Sequence, residues 1–173
     1  MIKVKIKYMY LPLVCSFLAF SSCSKTKGCT DPDAENYNSS AEESDNSCLY
    51  SLIGVWNMTS YILNGSDATS LFNTYRITFN NDGSYYSEAL FVSGDNQNGG
   101  DWIDVLGNYS ITNQSSLMLQ NTAVDYYNGN GPIINSDYST FAVSELNNNS
   151  ISIDYSHGSS TVITSLRISM YRP

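Results

Sequence analysis

The chain has 173 residues, with 16 acidic and eight basic side chains and a formal net charge of −8. A surface of this sign repels nucleic acid and anionic lipid headgroups, so we expect no nucleic-acid partner. Only 14% of the residues are charged while 14 are tyrosines, a composition that suits an all-β domain outside the cytoplasm.

The first 22 residues predict a signal peptide. Three lysines within the first seven residues precede an apolar run that extends from Tyr8 to Phe20. This run is shorter than a permanent membrane span, which requires about 20 apolar residues. A basic region, a short apolar region and small residues at the cut follow one another in secretory signals. We therefore expect residues 1–22 to be removed during export.

The residues that end this segment, Phe20-Ser21-Ser22-Cys23, resemble a bacterial lipobox. In proteins with this motif the cysteine becomes the first residue after cleavage and carries acyl chains such as palmitate. The resemblance implies a lipid anchor on Cys23 in the outer membrane, because Ser24 is not the Asp associated with inner-membrane retention. Several acyl chains hold a small domain at a membrane, at about 0.8 kcal/mol per buried methylene. The periplasmic and outer faces are equally compatible with the signal, and a plain secretory cut is the alternative.

Residues 23–51 predict a lipid-anchored tether closed by a disulfide. Cys29 and Cys48 are the pair left after Cys23, and an even pair in an exported chain indicates a disulfide, worth about 3 kcal/mol on the chain-entropy model. The enclosed stretch resembles a short repeat of secreted and surface proteins of Gram-negative bacteria, G-C-x-D-P-x-A-x-N-Y-N followed by D-x-S-C. The resemblance covers about 21 residues and implies no activity.

The tether also contains four carboxylates whose spacing permits calcium binding. Asp31, Asp33, Glu35 and Glu42 fall at positions 1, 3, 5 and 12 of an EF-hand-like frame. Pro32 and the enclosing disulfide do not suit a loop between two helices. Calcium in the 28–48 motif is therefore one interpretation, and a solvated spacer without metal is the other. No other cofactor is expected.

From residue 52 onward the sequence alternates with period 2 and shows no helical stripe. Turn residues separate segments rich in Ile, Val, Thr, Tyr and Phe, and Asn-Asn-Asp-Gly at 80–83 is the clearest hairpin signal. In the last segment one face carries Val162, Thr164, Leu166, Ile168 and Met170. The eight predicted strands are 54–63, 75–79, 84–92, 102–111, 116–121, 139–146, 150–156 and 161–171. Eight antiparallel strands predict a closed up-and-down β-barrel, with a two-sheet β-sandwich as the alternative.

Three segments of this region resemble the lipocalin-like domains of bacterial lipoproteins. They are 52–61, with Gly54-Val55-Trp56 as the G-x-W motif, 77–85 and 107–111. The resemblance covers most of residues 52–172 and implies a lipocalin-like barrel over 52–173. In that family the Trp packs near an Arg of the last strand at the closed end. This implies Arg172 as the partner of Trp56, with Arg167 as the fallback.

The connections between the predicted strands differ in length at the two ends of such a barrel. Those at 64–74, 93–101, 122–138 and 157–160 share one end, and those at 80–83, 112–115 and 147–149 share the other. Long connections tend to carry function, so the first end is expected to be an open mouth. The second is expected to be closed and to receive the tether. The candidate ligand-binding residues at the mouth are Tyr61, Tyr75, Trp102, Tyr126, Tyr127, Ile133, Ile134, Tyr138 and His157.

These residues favour a binding module over an enzyme. Aromatic and apolar linings are typical of ligand pockets, although a small barrel can also fill with its own side chains. We expect a small apolar or amphipathic ligand; the alternative is an adhesion or assembly protein whose loops contact protein or glycan. His157 is the only histidine and no nucleophile motif accompanies it. Glycan hydrolysis stays open through the carboxylates Glu88, Asp104, Asp125, Glu145 and Asp154.

Overall fold

The computed structural model describes residues 24–92, 102–127, 130–134, 136–156 and 165–173. Eight long strands, each antiparallel to its neighbours, form one closed β-barrel. The strands are β1 (Gly54–Leu63), β2 (Phe72–Phe79), β3 (Ser84–Phe91), β4 (Trp102–Thr112), β5 (Ser116–Asp125), β6 (Tyr138–Leu146), β7 (Ser150–Ser156) and β8 (Ser165–Tyr171). The predicted all-β barrel is confirmed.

Closure comes from the pairing of the first and last of these strands. Each strand pairs with the next one along the chain, and β8 pairs with β1 from Leu166 opposite Leu63 to Tyr171 opposite Asn57. The sheet therefore continues around the barrel, and the β-sandwich alternative is wrong. Successive connections alternate between two ends. We call the end with connections 80–83, 113–115 and 147–149 the short-loop end, and the other the long-loop end.

Two strand boundaries differ from the prediction for a tertiary reason. β2 begins at Phe72 and β5 continues to Asp125, whereas the sequence pattern placed these limits at 75 and 121. Asn121 is typical of turns, yet the residues that follow it pair with β4, with Val124 opposite Val105. Pairing with an already formed neighbour outweighs local turn preference, as is common in sheets.

The remaining elements are short. Lys27–Gly28 pairs in parallel with Glu43–Ser44, Ser66–Asp67 pairs with β1, and Ile133–Ile134 pairs with β5. A single 3₁₀ turn, Thr69–Leu71, precedes β2. Within the described ranges, no helix has the length and apolar character needed to cross a membrane.

The core fills the short-loop half of the barrel. Side chains alternate between the inside and the outside of each strand, as expected for a barrel. The predicted face of β8 is confirmed for Leu166, Ile168 and Met170, which pack in the core, while 162 and 164 lie outside the described residues. The largest fully buried side chains of the core are Trp56, Phe79, Ile77, Leu117, Ile151 and Met170.

One seam of the wall is incomplete. The β1–β2 ladder ends after four pairs, from Gly54 opposite Phe79 to Asn57 opposite Arg76. Beyond it, the connection 64–71 takes the place of β2: the Tyr61 amide donates to Thr69 Oγ1 at 2.8 Å, and the Ala68 amide donates to the Tyr61 carbonyl at 2.9 Å. The barrel wall between β1 and β2 therefore holds together through loop contacts in its long-loop half.

Residues 24–51, which we call the disulfide segment, attach at the short-loop end. The predicted disulfide between Cys29 and Cys48 is confirmed. Gln114, in the β4–β5 turn, donates from Nε2 to the Tyr50 carbonyl at 3.0 Å, and Arg172 donates from Nη2 to the Ser51 carbonyl at 2.7 Å. These contacts fix the exit of the segment against the barrel.

Candidate functional site

The short-loop end is plugged by Trp56. Its side chain is fully buried, and its indole Nε1 donates to the Leu52 carbonyl at 2.8 Å. The guanidinium of Arg172 lies over the ring, with Cζ at 4.5 Å from the ring centroid. A cation over an indole face is attractive and covers the ring from solvent. This end of the barrel is therefore occupied by protein.

Arg172 also ties three parts of the chain together. Besides Ser51, its Nη2 donates to the Ile53 carbonyl at 3.2 Å, and its Nη1 donates to Asn148 Oδ1 at 3.1 Å. Gly54 has a φ of +126°, a conformation that favours glycine, and lies directly beside the arginine. Arg167 lies elsewhere, in an ion pair with Asp154. The structure thus brings Gly54 and Trp56 together with Arg172 and not with Arg167.

The long-loop half of the barrel contains a void of about 270 Å³. Its aromatic lining consists of Tyr61, Phe72, Tyr75, Phe91 and Phe141. Its aliphatic lining consists of Ala89, Ile103, Val105, Leu166 and Ile168, and Ser87 supplies a hydroxyl. The Phe72 ring packs against Tyr61 and Phe91, with centroids 4.9 and 4.7 Å apart. The interior therefore changes from packed to hollow along the barrel axis.

A second void of about 190 Å³ lies deeper in the barrel. It shares Tyr75, Ser87, Val105 and Phe141 with the first void. The shared residues lie between the two voids and include two hydroxyl groups, those of Tyr75 and Ser87. This pair therefore forms a polar point in the middle of an otherwise apolar interior.

Burial raises the pKa values of the tyrosines in this interior. Burial, followed by the neighbouring Tyr61, raises the pKa of Tyr75 to about 12, and the Ser87 hydroxyl acts in the opposite direction. Burial also raises the pKa of Tyr61. Deeper in the barrel, burial raises the pKa of Tyr85, whose hydroxyl donates to Asn121 Oδ1. The phenolate charge is disfavoured at each of these positions because the surroundings solvate it poorly.

Two of the predicted mouth residues line the cavity and two others lie on the outer wall. Tyr61 and Tyr75 line the void. Trp102 and Tyr127 instead meet at Asp104: Trp102 Nε1 donates to Oδ1 and the Tyr127 hydroxyl donates to Oδ2, each at 2.6 Å. Trp102 precedes the inward-facing Ile103, so strand alternation places it outside.

The other predicted mouth residues do not line either void. Tyr138 is 62% exposed and its hydroxyl accepts a hydrogen bond from Gln120 Nε2 at 2.8 Å. Ile133 and Ile134 are also exposed, Ile134 by 84%. Tyr126 is half-buried. His157 lies outside the described residues, as does Cys23.

The candidate carboxylates lie on the outer wall as well. Glu88, Asp104 and Asp125 stand opposite one another on β3, β4 and β5, and Arg76 pairs with Glu88. The hydrogen bond to Asp104 raises the pKa of Tyr127 to about 12. Glu145 accepts hydrogen bonds from the β6–β7 turn, and Asp154 pairs with Arg167. None of these five carboxylates lines either void.

The calcium candidates of the disulfide segment are not gathered around one point. Asp31 accepts from the Asp33 amide at 2.9 Å and from the Tyr50 hydroxyl at 2.6 Å. The hydrogen bond from Tyr50 is the main cause of the lowered pKa of Asp31. In the part of the chain that the structure describes, no three His, Cys, Asp or Glu side chains form a group able to hold a metal ion. Glu35 and Glu42 therefore have no such group around them.

Most of the cavity lining was not predicted from the sequence. The candidates were aromatic residues in or near long connections, whereas the lining comes mainly from inward positions within strands, such as Phe72, Ser87, Ala89 and Phe141. A usable signal was present in β3, where Ser87, Ala89 and Phe91 share the face of the buried Tyr85. Alternation from a buried anchor residue identifies cavity positions better than proximity to a loop.

No known family model matches this chain, and no curated protein is significantly similar to it. The geometry of the barrel is therefore the basis on which its function has to be inferred.

Proposed function

We propose that this protein is a lipid-anchored lipoprotein of the outer membrane, with a lipocalin-like barrel that binds one small apolar or amphipathic ligand. The observation that carries the binding function is the void of about 270 Å³ in the long-loop half. Protein interiors pack densely and leave few voids larger than a water molecule. A void of this size with apolar walls and few polar groups has the composition of a ligand pocket.

The position of the disulfide segment supports the arrangement on a membrane. The segment joins the barrel at the short-loop end, where Tyr50 and Ser51 contact Gln114 and Arg172. A lipid on Cys23 would therefore hold the end that Trp56 closes, and the cavity would lie in the half of the barrel farther from the anchor. Ligand exchange with solvent would then proceed without obstruction by the membrane.

Filling the void tests the binding function. Ala89 is 7% exposed and lines the void, so Ala89→Phe places a ring where the ligand would lie. We expect native mass spectrometry of protein purified from its own host to show a co-purifying small molecule on the unmodified chain and none on Ala89→Phe. The matched control is Ala142→Phe, at an exposed position on the outside of β6, which should keep the molecule. A small molecule that stays bound to Ala89→Phe would show that the void is not the site.

Removal of the proposed acylation site tests the anchor. We expect Cys23→Ala to move the protein from the membrane fraction to the soluble fraction of its host, because the lipid can no longer be attached. The measurement is immunoblotting of the two fractions. A Cys23→Ala protein that still sediments with membranes would contradict lipid anchoring at this residue.

A second candidate function rests on the exposed apolar residues of the long-loop end. Tyr127, Ile133, Ile134 and Tyr138 are all more than half exposed and belong to the β5–β6 region. Exposed apolar patches frequently mark interaction sites. An adhesion or assembly role would be favoured if a protein partner co-purifies and Ile134→Asp removes that partner without removing any small molecule.

A further inference from the structure

On the premise of that binding function, we infer that the ligand is an uncharged molecule about the size of two fused aromatic rings, with one hydroxyl or similar polar group that meets Tyr75 and Ser87. Three features carry this inference. They are the volume of the void of about 270 Å³, which we call the upper void, the distribution of basic residues over the whole chain, and the place of the Tyr75–Ser87 pair between the two voids.

The volume sets the size of the ligand. A void of about 150 Å³ lined by Leu, Ile and Phe accommodates benzene, and pockets for drug-sized ligands begin near 300 Å³. The upper void, at about 270 Å³, lies between these limits. Two fused rings fit this range. Phe72, Phe91 and Phe141 offer ring contacts to such a ligand, which are worth more than area alone.

The basic residues exclude an anionic ligand. A buried charge costs several kcal/mol unless an opposite charge pairs with it. Arg76 and Arg167 pair with Glu88 and Asp154, and Arg172 is held at the short-loop end. The other five basic residues of the chain are lysines at or before position 27. The connections of the long-loop end contain no Lys or Arg in their sequence, and His157 is their one basic side chain. Among the described residues, no Lys or Arg lines the void, so an anion there would have no guanidinium or ammonium partner from them.

A cationic ligand is excluded by the same reasoning applied to the carboxylates. Among the residues that the structure describes, no Asp or Glu lines either void, and the acidic row of Glu88, Asp104 and Asp125 lies on the outer wall. The oxygens of Asp104 already accept from Trp102 and Tyr127. A buried ammonium group would therefore lack a carboxylate partner in the void.

The Tyr75–Ser87 pair supplies the polar contact. Both residues line both voids, and Ser87 is buried. Each hydroxyl has one donor hydrogen and two acceptor lone pairs, so the two groups together have the capacity to bind a third polar group. A ligand hydroxyl placed at the lower end of the upper void would complete this small network, and a pure hydrocarbon would leave it as it is.

Three probes with one ring skeleton test the charge. They are 2-naphthol, 2-naphthoate and 2-naphthylmethylammonium, titrated at pH 7 by calorimetry into the full chain carrying Cys23→Ala, which needs no detergent. We expect 2-naphthol to bind at least ten times more tightly than either charged probe. A charged probe that binds as tightly as 2-naphthol would overturn the inference while leaving the binding function in place.

The same titrations test the size and the polar contact. Ser87→Ala should weaken 2-naphthol about fivefold, the effect of one hydrogen bond, and leave naphthalene unchanged. Ser110→Ala, an exposed serine on β4, is the control and should change neither affinity. An equal loss for both ligands would contradict the polar contact, and N-phenyl-1-naphthylamine binding in the absence of 2-naphthol binding would contradict the size. If none of the probes binds and no molecule co-purifies from the host, both the inference and the binding function fail.

Discussion

Replacement of Trp56 by alanine is expected to lower the free energy of unfolding by about 3–5 kcal/mol, the range found for large aromatic residues in cores. The side chain is 0% exposed and lies in the core of the short-loop half of the barrel. Its loss would open a cavity in the core cluster that includes Phe79 and Met170, and it would remove the ring that Arg172 covers. Equilibrium unfolding in guanidinium chloride, monitored by far-UV circular dichroism, measures the change.

Trp102 provides the control for Trp56. It is a half-buried tryptophan on the outer wall, where its indole donates to Asp104. Trp102→Ala removes the same atoms from a site where solvent can refill the space, so the loss should be clearly smaller. Equal losses of unfolding free energy for the two variants would contradict the role of Trp56 as the residue that closes the short-loop end.

Gly107→Ala is expected to destabilise the barrel by about 3 kcal/mol or more, at the upper end of overpacking effects. A Cβ at this position would lie 2.2 Å from the Gln120 carbonyl oxygen and 2.4 Å from Cε1 of Tyr85. The carbonyl belongs to the backbone of β5, which pairs with β4 through an irregularity between Leu106 and Gly107. A methyl group therefore forces the two strands apart. Guanidinium unfolding is again the measurement.

Two further variants separate the causes. Ser110→Ala places the same alanine side chain at an exposed position of β4, with loss of a hydroxyl only, and should leave stability nearly unchanged. Tyr85→Ala combined with Gly107→Ala removes the ring contact but not the contact with the Gln120 carbonyl, so it should not restore stability. A Gly107→Ala protein as stable as the unmodified chain would show that β4 and β5 separate easily at this point.

The strands were predictable because a two-residue alternation was maintained in each of them. The hairpin at 80–83 was equally clear from its residues: Gly83 adopts a φ of +84°, and the Asp82 carboxylate accepts from the Ser84 amide at 2.9 Å. The count of eight then indicated closure. The limits at Phe72 and Asp125 were missed because pairing with neighbouring strands, and not local preference, determines where those strands end.

The cavity was less predictable because the direction of a side chain depends on register. Irregular pairings occur between Leu106 and Gly107, between Val143 and Glu145, and between Ser169 and Met170. Each one shifts the pairing by a residue, and a one-residue shift moves side chains to the opposite face. The contact of Tyr127 with Asp104 joins a residue two positions beyond the end of β5 to β4, and alternation along one strand does not reveal it.

The pairing of β8 with β1 also determines when the barrel can form. Thr59 donates from Oγ1 to the Ser169 carbonyl across 110 residues of sequence, and the entire β8–β1 ladder joins positions similarly far apart. Proteins dominated by such distant contacts fold slowly, in milliseconds to seconds. Until β8 docks, β1 and β7 each present an unpaired edge that invites association with other chains. A chain that lacks β8 would therefore leave these two edges unpaired and the barrel open.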